Sequence, residues 1–482
     1  MPKVNRHPLV ISALAQRKRA ILLGENMNYV STRGSAEPTD FRSVVLSGVA
    51  SDGGLYVPQH LPHFDSEKIA SWTWLSFDEL AFRVISNFIG GEIEDATLRN
   101  ILKECYQCFD HRAVAPLQQI GPNEWVLQLH YGPTRASKDF AAQLQARLVA
   151  HLLTPSSQAI VIGATNGDTG LAAIEAFQNV SNVQVVVLYP RDGVPTDRLA
   201  ELMASSSDHV HLLEVDGSFD DCQTLVSKVL KAWPRADILP ISFNSTNWVG
   251  VLAQIVFFFH SALQLGGGTR PVGFSIPGAS FAEIYACYIA QKMGLAINQV
   301  IVSTNANDAL HRFINQNSYA TREVTHSLSP GMDFSLFSNL ERFIWELYEH
   351  DSEAVQTLMS TFEDEGKLSI GNKQWLRARM LFDSYAVADE QVREEVLTIF
   401  REAGTAVDPQ TATGALAARL YRRSLASPMV TLAQLAPSKS SQLLAELEVW
   451  IPKVRAVPTV SVDRVVLSKG DVDRLSRFLQ DV

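Results

Sequence analysis

One lysine in this chain, Lys138, combines a position and a neighbourhood that could support covalent chemistry. It lies in the segment HYGPTRASKDF, residues 130–140, where a Gly-Pro-Thr turn precedes it and a helical pattern from Asp139 to Leu153 follows. A lysine held at the start of a helix and partly withdrawn from water can form a Schiff base with an aldehyde cofactor. An isolated Lys-Asp pair is more often a surface cap on a loop, so this interpretation depends on other segments that indicate the same chemistry.

A turn rich in small residues, GATNGDTG at residues 163–170, joins a predicted strand to a predicted helix. Its glycines and alanine leave backbone amides accessible, and Thr165, Asn166 and Thr169 add side-chain donors. Such a turn at a helix N-terminus can bind a carboxylate or a phosphate. A helix capped by Asp168 or Thr169 explains the same residues, and the segment alone does not separate the two hypotheses.

The segment IPGASFAE, residues 276–283, is a second strand-to-helix junction. Unpaired amides at positions 279–282, together with the Ser280 hydroxyl, would form an anion cradle suited to a cofactor phosphate. The alternative is a capping box between Ser280 and Glu283, with no ligand. This junction, too, indicates an anion site only in combination with the others.

Polar residues also gather ahead of the most apolar helix of the chain. The segment Asn244-Ser245-Thr246-Asn247 follows a predicted strand and precedes an apolar stretch from Trp248 to Leu265. Buried polar groups need partners, which could be the amides of the helix or a substrate. Because the apolar stretch contains Gln254 and His260, we predict a buried core helix rather than a membrane span.

The middle of the chain alternates short apolar runs with helical patterns, which predicts β-α units and parallel sheets. Predicted strands cover residues 159–163, 183–188, 209–215, 272–276 and 300–303. Ligands in such sheets bind beyond the carboxyl ends of the strands. We expect an N-terminal extension (1–26), a helix-rich N-terminal subdomain (27–128), a domain with the lysine and the 163–170 turn (129–262), and a second α/β domain (263–482).

The composition is typical of a soluble globular enzyme with two or three domains. The 482 residues are 46% hydrophobic and 19% charged, and the formal net charge of -10 argues against a nucleic-acid surface. Four cysteines do not make a disulfide framework in a chain of this length, and the lone Cys105-x-x-Cys108 lacks the further ligands of a zinc site. We therefore predict a cytoplasmic monomer or homodimer with a small-molecule substrate and no metal, nucleic acid or membrane.

Taken together, these segments resemble threonine synthase, a family of pyridoxal-phosphate enzymes with the tryptophan synthase β-like fold. The resemblance runs from about Tyr29 to Pro437, and its most specific part, Gly132-Pro-Thr-x-Ala-x-Lys-Asp-Phe140, is similar to the Schiff-base lysine segment of the family. Further matching segments are Y-x-STRG (29–34), ASDGGLYVP (50–58), G-x-FDDCQ (217–223), N-x-ND (305–308) and the run from Met332-Asp333 to SN-x-ER (338–342).

The resemblance implies an α/β fold of parallel and mixed sheets flanked by helices, with an N-terminal helical subdomain and pyridoxal 5'-phosphate as cofactor. The implied reaction converts O-phospho-L-homoserine and water to L-threonine and phosphate, by γ-elimination of phosphate and addition of water at Cβ. Lys138 would hold the cofactor and then transfer protons at Cα and Cβ of the substrate. The other implied cofactor contacts are Ala279, Ser280, Phe281, Ala282 and, near the pyridine nitrogen, Gln434. The implied or candidate substrate contacts are Thr165, Asn166, Gly167, Asp168, Thr169, Asn244, Ser245 and Asn247.

Several of these positions depart from the family pattern. The phenylalanine before the lysine is Ser137, and both glycines of the phosphate loop are alanines, Ala279 and Ala282. A backbone that needs positive φ there must rearrange. Gly250 replaces an arginine that could meet a phosphate, and Arg135 could supply a replacement charge.

Two glutamines near the implied cofactor ring also differ from the family: Gln410 replaces a histidine and Gln434 replaces a threonine. A neutral amide can still donate a hydrogen bond to the pyridine nitrogen. Because the changes cluster at the implied site, three hypotheses stay open. The chain could be a divergent threonine synthase, a relative that performs elimination or replacement on another amino acid in specialised metabolism, or a catalytically weak protein that acts by binding.

Overall fold

The computed structural model of the protein describes residues 27–278, 280–452 and 465–482, so the predicted N-terminal extension (1–26) and Ala279 lie outside the described residues. The strands are β1 (Tyr29–Ser31), β2 (Tyr56–Pro58), β3 (Leu117–Gly121), β4 (Glu124–Gln128), β5 (Gln158–Ala164), β6 (Val183–Pro190), β7 (Val210–Asp216), β8 (Ile238–Ser242), β9 (Val272–Pro277), β10 (Ile297–Thr304), β11 (Tyr319–Ala320), β12 (Lys367–Leu368), β13 (Phe382–Ala386), β14 (Met429–Ala433) and β15 (Val465–Ser468). The helices are α1 (Phe41–Ser47), α2 (Ser66–Ala70), α3 (Phe77–Ile85), α4 (Asp95–Gln107), α5 (Lys138–Leu152), α6 (Asp168–Phe177), α7 (Thr196–Ala204), α8 (Phe219–Lys231), α9 (Trp248–Gly266), α10 (Ala282–Lys292), α11 (Ala309–Gln316), α12 (Leu340–Leu347), α13 (Ser352–Glu365), α14 (Asn372–Leu381), α15 (Asp389–Ala403), α16 (Pro409–Tyr421), α17 (Ser441–Glu446) and α18 (Val472–Asp481).

The N-terminal part is rich in helix, with β1 and β2 paired as a small antiparallel ribbon and α1 to α4 around it. Its aromatic side chains join the main core: Phe77 and Tyr106 both contact Phe140 of α5. The subdomain therefore packs directly on the helix that begins at Lys138.

A five-stranded sheet in the order β15-β7-β6-β5-β8 is parallel throughout. Residues 159–164 of strand β5 are all buried, on both faces of the sheet. Their sequence is accordingly a continuous apolar run and does not alternate polar with apolar residues. Because β5 pairs with β8, the 163–170 turn and the Asn244–Asn247 turn emerge side by side at the carboxyl edge of the sheet.

A six-stranded mixed sheet in the order β13-β10-β9-β14-β4-β3 has one antiparallel strand, β3, at its edge. Its strand β9 lies between β10 and β14, so the loops after β9 and β14 are neighbours at one edge. Strands β3 and β4 precede the predicted boundary at residue 129 but pair in this sheet, and β15 pairs with β7 of the other sheet. Strand pairing therefore crosses the predicted domain boundaries, while the predicted fold class is confirmed.

The apolar stretch from Trp248 forms α9, the one helix within the described residues that is long and apolar enough to cross a membrane. It is 83% buried inside the protein, in agreement with its prediction as a core helix. It packs against α5 and α10, the helices whose first turns contain Lys138 and Glu283. Helix α9 thus sets the spacing between these two side chains.

Candidate active site

Lys138 is the first residue of α5, and the turn before it is held together by Asp139. The Asp139 carboxylate accepts hydrogen bonds from the amide and the hydroxyl of Thr134, at 2.9 and 2.8 Å. Gly132 lies against the same carboxylate, with which a Cβ at this position would collide. Burial raises the pKa of Asp139 to about 7 in spite of the hydrogen bonds. The Gly-Pro-Thr to Lys-Asp spacing is therefore a self-contained turn that presents Lys138.

The amine of Lys138 meets a buried carboxylate from another helix. Lys138 Nζ donates to Glu283 Oε1 at 3.0 Å, and Glu283 is only 1% exposed in the first turn of α10. The Ser280 hydroxyl donates to Glu283 Oε2 at 2.9 Å, and Gln254 Nε2 donates to Oε1 at 3.3 Å. Burial favours a raised pKa for Glu283, but the charge of Lys138 and the hydrogen bonds from Lys138 and Ser280 lower it below the ordinary value. Glu283 is therefore an anion beside the lysine.

The junction between β9 and α10 has the geometry of an anion cradle. Its positive φ, 60°, falls on Phe281, whereas Ala282 is the first helical residue and needs no glycine. Phe281 is fully buried, with its ring 5.7 Å from that of Phe343. The amides of Ser280 and Phe281 have no acceptor within the described part of the chain. These two donors at a helix start fit the phosphate of a pyridoxal cofactor.

Gln434 ties the end of β14 to the lysine segment, because its carbonyl accepts from the Ser137 amide at 2.7 Å. Its buried side chain accepts from Gln410 Nε2 and donates to the Pro277 carbonyl at 3.3 Å. The two glutamines that replace the expected histidine and threonine therefore bond to each other. One Nε2 proton of Gln434 is left for a further acceptor, and the buried Ser137 hydroxyl has no partner among the described residues.

The 163–170 turn is organised from within by Thr165. The Thr165 hydroxyl accepts from the amides of Gly167 and Gly170, at 2.9 and 2.8 Å. Asn166 donates to the Pro330 carbonyl at 2.9 Å. Of the five predicted substrate contacts in this turn, Asn166 and Thr169 line the cavity described below. The other three residues shape the turn.

Asp168 is the first residue of α6 and the centre of a buried ion cluster. Its Oδ1 accepts from Lys439 Nζ at 2.5 Å and from Arg198 Nε at 3.0 Å. Arg198 also donates to the Lys439 carbonyl at 2.8 Å, and Glu201 lies 3.5 Å from Lys439 Nζ. Burial opposes ionisation, but the two cations lower the pKa of Asp168 to about 2. Asp168 therefore anchors the turn to α7 and to the segment after β14.

The turn at residues 244–247 is bound to the 163–170 turn. The Asn244 side chain exchanges two hydrogen bonds with the backbone of Ala164, both 2.9 Å. Asn244 and Ser245 line the cavity. Asn247 instead caps α9 through the Val249 amide at 3.1 Å and donates to the Val45 carbonyl at 3.0 Å. The capping hypothesis accounts for Asn247.

A buried cation lies behind this turn. Arg342 donates to the carbonyls of Ser245 at 3.2 Å, Thr246 at 2.6 Å and Tyr56 at 3.0 Å. No carboxylate is paired with it within the described ranges. Burial lowers the pKa of Arg342 to about 10, so it stays charged at neutral pH. Its charge favours an anion on the cavity side of Ser245 and Thr246.

These elements enclose a cavity at the carboxyl edges of the two sheets, and among the described residues Lys138 is the one ionisable side chain that lines it. Gly250 is part of this lining. Arg135 is not, so the replacement cation that we predicted there lies outside the cavity. The backbone of Arg135 has φ of 60° and accepts from the Ala436 amide at 3.1 Å, which leaves its side chain exposed. The other polar lining residues are Gln145, Asn166, Thr169, Gln223, Asn244, Ser245, Thr246, Gln254, Ser280 and Ser338.

Sequence reasoning missed four residues around this cavity. The sequence brings in Glu283 only through the alternative of a capping box, although an acid in the first turn of a helix next to an anion cradle is a signal for a second role. Gln254 can be recognised in the sequence as a polar residue within the apolar stretch from Trp248 to Leu265. Arg342 entered the sequence analysis only as part of the family-like segment SN-x-ER (338–342). No residue near Lys439 in the sequence indicates that it forms an ion pair with Asp168.

Comparisons with known proteins agree with this geometry. The family model described as "Threonine synthase N terminus" matches residues 28–106, and the model "Pyridoxal-phosphate dependent enzyme" matches residues 110–434. A threonine synthase of Pseudomonas aeruginosa is 46% identical over 416 residues, which cover 86% of this chain and 88% of that protein. One of Schizosaccharomyces pombe is 32% identical, with 81% and 83% covered. The crystal structure of a pyridoxal-phosphate-bound threonine synthase from Brucella melitensis superposes with a TM-score of 0.85 at 35% identity, covering 94% of this chain and 99% of that one.

Proposed function

The chain belongs to the threonine synthase family of pyridoxal-phosphate-dependent enzymes, and from this premise we propose that it converts O-phospho-L-homoserine and water to L-threonine and phosphate. It is a pyridoxal-phosphate-dependent lyase. We further propose that it acts in the cytoplasm, as a monomer or homodimer. The observation that supports the substrate best is the cavity itself, which combines Lys138 with a turn backed by the buried cation Arg342.

Four residues of this chain would hold the cofactor. Lys138 would bind its aldehyde through a Schiff base, the amides of Ser280 and Phe281 would donate to its phosphate, and the Gln434 amide would donate to its ring nitrogen. When bound, pyridoxal phosphate withdraws electrons from the bonds at the substrate Cα. The loop between β9 and α10 can bind the cofactor phosphate without a glycine at position 282, because the residue with the left-handed backbone conformation is Phe281.

The lining residues then position the substrate. Asn166 and Thr169, at the start of α6, would bind its carboxylate. Ser245 and Thr246 would bind its phosphate, because Arg342 places a positive charge behind them. Lys138 would move a proton at Cα and at Cβ, after which phosphate leaves and water adds at Cβ. The two turns are joined through Asn244 and Ala164, so both ends of the substrate are held in fixed relation.

A second candidate function is elimination or replacement on an amino acid with an uncharged leaving group. The observation in its favour is that Lys138, the one cation that the described residues contribute to this lining, is already paired with Glu283, while Gly250 stands where the family carries arginine. A phosphate dianion would then depend on neutral donors and on Arg342.

A substrate panel separates the two functions. The holoenzyme is mixed with O-phospho-L-homoserine, O-acetyl-L-homoserine or O-acetyl-L-serine, and the visible absorbance of the cofactor, released phosphate and threonine are measured. Threonine and phosphate in equal amounts from the phosphorylated substrate support the main proposal. A spectral change and turnover with only the acetylated amino acids would replace it with the second.

A further inference from the structure

We propose that Glu283 is a second proton-handling residue of this enzyme, which holds the amine of Lys138 and takes a proton from it during the reaction. The proposal deepens the proposed function, since it concerns the base of the same site, but it does not depend on which amino acid is the substrate. The motif around Lys138 does not contain Glu283, which is 145 residues away in the chain.

The geometry favours proton transfer between these two groups. The Nζ to Oε1 distance of 3.0 Å is a hydrogen bond, and Glu283 is enclosed while the Lys138 side chain is 23% exposed to the cavity. The amine can therefore reach a substrate while the carboxylate stays away from water. Ser280 fixes the other carboxylate oxygen at 2.9 Å, so that Oε1 is directed at Nζ.

The surroundings add no competing charge at the pair. Asp139, next to Lys138 on α5, gives its carboxylate to Thr134. Helix α9 contributes the neutral Gln254, whose Oε1 is buried without a partner among the described residues. Glu283 is thus the charged group that the described residues place in contact with the amine.

The proposed step conserves charge and atoms. The Nζ–H bond of the Lys138 ammonium breaks, its electron pair stays on nitrogen, and the proton forms a bond with Glu283 Oε1. The ion pair becomes a neutral amine and a neutral carboxylic acid. The amine is then free to accept a proton from a substrate carbon, and the reverse transfer restores the ion pair. A positioned acid-base group of this kind contributes about 10² to 10⁴ in rate.

The test compares Glu283→Gln, which keeps the shape without the charge, with Glu283→Asp, which keeps a carboxylate one methylene shorter. The matched control is Glu346→Gln, because Glu346 is also buried and accepts a hydrogen bond, from Tyr288 at 3.2 Å, but is not a lining residue of the cavity. In cofactor-free protein, acylation of Lys138 by an N-hydroxysuccinimide ester is followed by peptide mass spectrometry. In loaded protein, the visible absorbance and the exchange of the Cα hydrogen of L-threonine in D2O are measured.

We expect Glu283→Gln to acylate Lys138 about tenfold faster, because the ammonium loses the anion that stabilises it. The variant should keep the cofactor absorbance, but kcat and Cα exchange should slow by about 10²-fold with KM within about threefold, because the proton acceptor is lost. Glu283→Asp should recover at least about a tenth of the wild-type exchange, and Glu346→Gln should match wild type. Unchanged acylation in Glu283→Gln, or in Glu283→Ala if the first variant does not fold, would overturn the proposal, because both variants lack the carboxylate. So would loss of the cofactor absorbance, which would make Glu283 a cofactor-binding residue. Wild-type protein that forms no threonine would refute the proposed function alone.

Discussion

Two buried ion clusters flank the cavity, and each joins a lysine to a carboxylate from a distant part of the chain. In the first, Lys138 meets Glu283 at 3.0 Å, and the lysine side chain is 23% exposed to the cavity. In the second, Lys439 meets Asp168 at 2.5 Å, with its side chain 4% exposed and with Arg198 as a second cation. The lysine of the first cluster is partly exposed, whereas both cations of the second cluster are almost fully buried.

The difference in exposure between Lys138 and Lys439 shows how two similar lysine–carboxylate pairs can have different roles, one in chemistry and one in holding a turn. A lysine that takes part in chemistry must bind different partners during the reaction, so its amine must be accessible from the cavity. The carboxylate beside it must keep its position when the amine moves, and Ser280 holds Glu283 in this way. A buried pair that anchors a turn needs additional donors to offset the cost of burial, as Lys439 and Arg198 do at Asp168. Removing Asp168 takes away the buried anion that Lys439 and Arg198 share and leaves them the more exposed carboxylates Glu201 and Asp197.

Lys138→Ala should lower the rate of product formation on the order of 10³-fold or more, because the variant loses both the link to the cofactor and the base. The visible absorbance of the loaded protein should disappear as well. Absorbance titration with pyridoxal phosphate and a phosphate-release assay measure both effects. Lys103→Ala, at an exposed lysine of α4, is the control and should behave as wild type. An active Lys138→Ala protein would contradict the whole assignment.

Asp168→Asn should lower the free energy of unfolding by about 3–5 kcal/mol, because Lys439 and Arg198 would lose their shared buried anion. Urea denaturation followed by fluorescence measures the change. Asp237→Asn breaks a surface pair with Arg235, in which the Asp237 side chain is 70% exposed, and should have a far smaller effect. Equal losses in the two variants would show that the Asp168 cluster does not stabilise the turn.

The stability gap between wild type and Asp168→Asn should also depend on pH. The folded pKa of Asp168 is about 2, below the ordinary value of about 3.9. The ionised carboxylate therefore stabilises the fold above about pH 4, and this contribution is lost as the pH falls towards 2. Unfolding curves at pH 5 and pH 2 should show the gap narrowing by about 2–3 kcal/mol. A gap that stays constant would contradict the lowered pKa.

Gly167→Ala should cost about 1–3 kcal/mol, since the turn holds this residue at φ of 126° with Arg198 Cβ 2.8 Å from the position of a new Cβ. Gly91 has φ of 82° and open space around it, so Gly91→Ala isolates the backbone strain, about 1 kcal/mol. Thermal unfolding of both variants gives the comparison. If Gly91→Ala is the more destabilised of the two, Arg198 does not pack on the turn as described.

Much of the local structure was predictable from short segments. The helix after Lys138, the core helix at residues 248–265 and the alternation of strands and helices follow from periodicity and from turn residues. The unpaired amides at the 276–283 junction follow from a strand that ends just before a helix begins. The family resemblance, carried by the Lys138 segment, supplied the cofactor that the comparisons support.

Other features could not be predicted from neighbouring residues. The sequence suggested Arg135 as a replacement cation, but a left-handed backbone keeps its side chain outside the cavity. A positive φ was expected at one of the positions where the family has glycine in the phosphate loop, but it falls on Phe281. The aromatic side chains packed around the Phe281 ring offset the backbone strain. The pairing of Gln410 with Gln434 joins a helix to a strand end 24 residues away. Each depends on packing that no local rule describes.

The sequence by itself determined that a reactive lysine begins a helix in a parallel α/β protein, since hydrogen bonds within a few residues define such turns and helices. Only the tertiary structure decided that Glu283 would face this lysine, that Arg342 would stand behind the substrate turn, and that Asp168 would be paired with Lys439, 271 residues away. Strand order and helix packing bring these charges together. Their energies depend on burial, which is a property of the folded chain as a whole.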